Sequence, residues 1–174
     1  MNAFAPRTPL GLRPGVRLPG WAGVVLIVVF CAAVEVCGGL ATYPAIASGW
    51  YDTLRRPAWN PPNQIFGPMW TILFVVMAIA ACIVWGRRGR SPVGLPMALF
   101  VAQLVANGAW SVLFFFMRSP TAALIEIGLL WILIGLTALA FFRISCLAGW
   151  LLVPYLAWVS FAAVLNAEIV RLNP

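Results

Sequence analysis

Five apolar runs dominate the chain, at about 21–47, 64–85, 94–117, 119–142 and 147–170, separated by short segments that carry most of the prolines and arginines. Each run reaches the ~20 residues an α-helix needs to cross hydrocarbon. The pattern therefore predicts an all-α membrane protein, a bundle of five transmembrane helices forming one domain over residues 21–174. A hydrophobic share of 63% against 9% charged residues agrees, because a soluble globule of this length keeps far more charge on its surface.

The segments between the runs refine this picture. Residues 1–20 hold four prolines and three arginines without sustained periodicity, which predicts a disordered basic tail. A secretory signal is the rival reading, since "AIA" at 45–47 resembles a cleavage site, but the first run is too long and contains Glu35. Gly38, Gly39 and Pro44 are expected to loosen or kink the outer end of the first span. "FFFMRSP" leaves so little chain between the third and fourth spans that they must form an antiparallel hairpin.

Charge adds a direction. The formal +7 comes from 11 arginines, with no lysine, set against four carboxylates. Arg7, Arg13, Arg17, Arg87, Arg88, Arg90 and Arg143 fall on one side of a five-span arrangement, and Arg55, Arg56, Arg118 and Arg171 on the other. Arginines distributed in this way describe membrane topology and no nucleic-acid partner. The larger set predicts a cytoplasmic N-terminus, with the 48–62 loop on the opposite face. Long apolar helices suit a bacterial cell (inner) membrane, whereas outer-membrane proteins are normally barrels.

Histidine is absent, and Cys31, Cys37, Cys82 and Cys146 show no Cys-x-x-Cys spacing, so no metal site is expected and the cysteines read as small core residues. Hydrolytic and nucleotide chemistry lack their residues: no base stands beside a nucleophile, and no glycine-rich loop follows a strand. In the third span Gln103, Asn107, Trp110 and Ser111 recur on one helical face; in the fifth, Leu151, Tyr155, Trp158, Ala162 and Asn166 form a second stripe. The two stripes are placed to line a pocket, and ordinary helix packing is the competing account. Glu35 and Glu126 lie inside spans, where a carboxylate must be paired, protonated or facing water. Glu168 and Arg171 read as a solvated surface pair. Nine tryptophans exceed what an interfacial belt requires, and flat indoles suit a flat apolar ligand.

The stretch "WYDTLRRPAWNPPNQIFGPMW" at 50–70, with "NGAWSVLFF" at 107–115, "TAALIEI" at 121–127 and "LLVPYLAWVSFAAVLN" at 151–166, closely resembles the TspO/MBR family of tryptophan-rich sensory proteins and translocator proteins. The resemblance implies five membrane helices around a ligand cavity, often in a homodimer, with the 48–62 loop folded over the cavity as a cover. It implies ligand-binding positions at Trp59, Trp70, Asn107, Trp110, Glu126, Tyr155, Trp158 and Ala162. The ligands it implies are porphyrins such as protoporphyrin IX or haem, and in some members sterols, with no obligatory cofactor. Lacking histidine, the chain is expected to recognise the ring rather than the iron. After Tyr155 no basic residue follows within five positions, so a weak sterol pattern is incomplete there. Arg56 replaces a usual lysine, and Arg55 and Arg56 suit either an anionic ligand at the mouth or lipid headgroups.

Function is therefore expected to be that of a membrane receptor or sensor regulating tetrapyrrole handling or stress responses. Light- and oxygen-dependent porphyrin degradation, with Trp70 and Trp158 as catalytic positions, is the enzyme alternative. Transport of porphyrin or sterol and a scaffold role complete the set; no inverted repeat supports ion-driven transport.

Overall fold

The computed structural model describes residues 19–174, so the 1–20 tail, with Arg7, Arg13 and Arg17, lies outside the described residues except at its last two positions. The five predicted spans are helices: α1 (Gly20–Ala47), α3 (Asn63–Gly86), α4 (Gly94–Ser111), α5 (Pro120–Phe142) and α6 (Cys146–Leu172), with a short α2 (Trp50–Thr53) in the cover. All five long helices are apolar enough to cross a membrane. Their ends follow local chemistry. Pro120 opens α5 where its missing N–H is not needed. Gly49, at φ 72°, supplies the left-handed residue that turns the chain from α1 into α2.

The helices close into a ring in the order α1, α3, α6, α5, α4 and back to α1. Its core is built from helical stripes: Leu73, Met77, Ala80, Ala81 and Val84 on α3 meet Phe100 and Leu104 on α4, Ile134 and Phe141 on α5, and Leu152, Tyr155 and Val159 on α6. Phe100 and Phe141 stack with ring centroids 5.9 Å apart. α1 is the outermost member, with 11% of its most apolar window buried against 39% for α3. Its N-terminal end is held where Gly23 receives the Trp85 indole, whose Nε1 donates to the Gly20 carbonyl at 3.2 Å. A side chain at position 23 would occupy the space of that ring.

Some expectations shift. Pro44 lies inside α1, which stays helical to Ala47. Of the four cysteines, Cys31 is buried and Cys82 half-buried, but Cys37 and Cys146 are exposed and are not core residues, because α1 packs along one side only and Cys146 begins α6 at the rim. Arg87, Arg88, Arg90 and Arg143 gather at one end of the bundle; Arg55, Arg56, Arg118 and Arg171 gather at the cover end. Arg87 donates to the Ile144 carbonyl at 3.4 Å, tying the two turns of the former end together.

Candidate functional site

Beneath the cover, between α1, α3, α4 and α6, lies a cavity of about 630 Å³. Each helix supplies one face. α3 gives Asn63, Phe66, Gly67, Trp70 and Thr71; α6 gives Trp158, Ala162, Leu165, Asn166 and Ile169. These spacings of three and four are the register at which successive turns present one side of a helix. α4 contributes Asn107, Trp110 and Ser111, then ends in a π-helical turn, Val112–Phe116, closed by Met117 N–H donating to the Val112 carbonyl at 2.8 Å. Phe114 and Phe115 of this turn, four residues beyond Trp110 and Ser111, reach the lining.

Two aromatic walls result. On one side Trp70 stands nearly perpendicular to Trp158 with centroids 6.5 Å apart, and Phe66 meets Trp158 edge-on at 5.9 Å. On the other, Trp110 stacks on Phe114 at 5.2 Å, and Tyr51 from the cover packs against Phe115 at 5.7 Å. Polar bonds fix these rings. Trp110 Nε1 donates to Asn166 Oδ1 at 3.2 Å, and Asn166 Nδ2 donates to the Pro120 carbonyl at 2.9 Å, so one asparagine joins α4, α5 and α6. Asn107 Nδ2 donates at 3.0 Å to the hydroxyl of Tyr155, which is wholly buried under the cavity floor.

The cover is pinned at both ends. Asn173, just past α6, accepts from the Arg55 N–H and donates to the Arg55 carbonyl, each at 3.0 Å. Arg56 lies over the Tyr51 ring at 4.8 Å and donates to Asp52 at 3.1 Å and Asn63 at 3.4 Å. Burial pushes the Tyr51 phenol above its ordinary pKa, with the nearby Arg56 opposing the shift. Pro57, Pro61 and Pro62 give the cover stiffness without a demand for backbone donors. At its other flank Arg118, in a left-handed conformation at φ 51°, donates to Ser48 at 3.2 Å.

Of the eight positions expected to bind ligand, Trp70, Asn107, Trp110, Trp158 and Ala162 meet on the lining. Three do not. Trp59 is 49% exposed and packs edge-on against Phe161 at 5.9 Å, clamping the cover to the flank of α6. Tyr155 supports the floor from below. Glu126 sits on α5, which contributes nothing to the lining; both its oxygens are sealed in the packing without a hydrogen-bond donor. Glu35 and Thr71 join the lining instead, with Tyr51, Phe66, Phe114 and Phe115. Applying the same three-and-four spacing to the second span, from Trp70, would have found Phe66 and Gly67, and from Gly67 it reaches Thr71. Among the described residues, the lining side chains of a type that ligates haem iron are Tyr43 and Tyr51. Among the described residues no three metal-ligating side chains cluster.

A sequence profile of the TspO/MBR family matches residues 25–172. The chain is 49% identical to the tryptophan-rich protein TspO of Chlorobaculum tepidum over 152 residues, covering 87% of this chain and 96% of that protein. It is 39% identical to the tryptophan-rich sensory protein of Cereibacter sphaeroides (83% and 91% covered) and 36% identical to the human translocator protein (71% and 75% covered). With the profile matching nearly the whole described chain and these identities across the bundle, the protein is an integral membrane member of the TspO/MBR family.

Proposed function

We propose that the protein is a membrane receptor or sensor that takes a flat, largely apolar ligand of the porphyrin class into the cavity beneath the cover. The observation that carries this reading is the pair of aromatic walls, Trp70 with Trp158 and Trp110 with Phe114, facing a space of about 630 Å³. That volume lies within the ~300–1,000 Å³ of small-molecule sites. The names of relatives, a sensory protein and a translocator protein, are consistent with a ligand-responsive role. The arginines at the rim, Arg56 and Arg118, suit the carboxylates of such a ligand while its ring lies between the indoles. The sequence count of seven arginines on the N-terminal side against four on the cover side, which includes Arg7, Arg13 and Arg17 outside the described residues, favours a cytoplasmic N-terminus in a bacterial inner membrane.

The Trp70–Trp158 contact supports a second reading, light- and oxygen-dependent degradation, because an oxidisable indole against a photo-excited porphyrin is placed to give up an electron. The two separate on the absorption spectrum of protoporphyrin IX added to purified protein, recorded in darkness and then under illumination against a detergent control. A saturable dark shift without later loss supports the receptor. Protein-dependent loss of the porphyrin band that disappears in Trp70→Phe or Trp158→Phe, while the dark shift survives, supports the enzyme. No dark shift at all would sink the porphyrin assignment.

A further inference from the structure

Glu35 is a carboxylate in the wall of a largely apolar cavity, 12 residues before the end of α1 and so about 18 Å below it along the helix. Thr71 Oγ1 donates to Glu35 Oε1 at 2.5 Å across the seam between α1 and α3. That bond uses one of the roughly four acceptor positions of a carboxylate. Among the described residues the ion pairs are Arg56–Asp52 and Arg171–Glu168, so no arginine answers Glu35. Its free oxygen, Oε2, unlike both oxygens of Glu126, is not sealed in the packing. Asn107 adds polar capacity at the floor: one of its two amide N–H groups goes to Tyr155, which leaves the second N–H and the amide oxygen.

The cavity thus carries a carboxylate at depth, while Arg56 and Arg118 belong to the cover and its flank, outside the lining. A carboxylate in this position is costly unless a donor reaches it. We propose that Glu35, held by Thr71, is a second recognition point of the cavity and takes an amine or other N–H donor on an otherwise flat apolar ligand. This rests on the reading of the cavity as a ligand site. It adds a rule of orientation: the anionic edge of the ligand faces the cover and a donor-bearing edge faces the floor.

The test uses 1-pyrenemethylamine and 1-methylpyrene, a matched pair differing in the donor, titrated into the full-length protein in dodecyl maltoside. Quenching of tryptophan fluorescence is read against empty micelles. The amine should bind at least roughly tenfold more tightly than the methyl compound, as expected for a charge-assisted hydrogen bond. Glu35→Gln, whose amide oxygen still accepts from Thr71, should bring the ratio to about one. Thr71→Val, which removes the bond but keeps the carboxylate, should retain the preference. Saturable binding of both compounds without preference in the wild type would overturn the Glu35 proposal and leave the cavity reading standing. Equal loss of preference in both variants would make Glu35 a latch between helices and overturn it too. Saturable quenching by neither compound would count against the cavity reading, and the proposal would fall with it.

Discussion

At the scale of single residues, the site is held by asparagines more than by its aromatic rings. Asn107 carries a wholly buried phenol, Asn166 bridges three helices, and Asn173 clamps the cover. Asn107→Leu should leave the Tyr155 hydroxyl without a partner in the core, at a cost of about 1–3 kcal/mol, seen as a lowered melting temperature in detergent. Adding Tyr155→Phe should recover part of that loss, because the orphaned hydroxyl is then gone. A double variant no more stable than Asn107→Leu alone would show that the hydrogen bond is not what Asn107 contributes. The sequence marked Asn107 and Asn166 by helical spacing. Asn173 was invisible there, since its partner Arg55 lies far away along the chain and only folding brings them together.

At the scale of elements, the spans were legible almost to the residue, because 20 or more apolar positions in a row have one physical solution in a bilayer. The contents of the cavity were less so. Trp59, Glu126 and Tyr155 belong to the motifs of the family, yet a motif records which residues matter, not which surface they face: one clamps, one is sealed on α5, one props the floor. Phe114 and Phe115 lie four residues beyond Trp110 and Ser111, so carrying the same stripe one turn further would have found them as well. The cover is the element most exposed to test. Asn173→Ala removes both bonds to Arg55 while leaving the five spans untouched, so amide exchange across 50–62 should accelerate several-fold and ligand should dissociate faster. Unchanged exchange in the cover would mean that Trp59 on Phe161 holds it without help.

At the scale of the whole molecule, the described residues of the five-helix ring leave a cavity at the end closed by the cover and are densely packed through Met77, Phe100, Phe141 and Leu152 at the other. An odd number of spans sends the two termini to opposite sides. A fluorescent protein that matures only in the cytoplasm should shine when fused to the N-terminus and stay dark when fused after Pro174; the reverse would invert the proposed orientation. The central claim, that ligand occupies the cavity beneath the cover, is tested most directly by filling it. Ala162 faces that space, while its neighbour Ala163 lines a groove on the outer flank between α5 and α6. Dark binding of protoporphyrin IX should weaken by roughly tenfold or more in Ala162→Phe, since forcing extra volume into an occupied site costs about 1–3 kcal/mol, and should be unaffected in Ala163→Phe. Equal affinity for Ala162→Phe and the wild type would contradict the account.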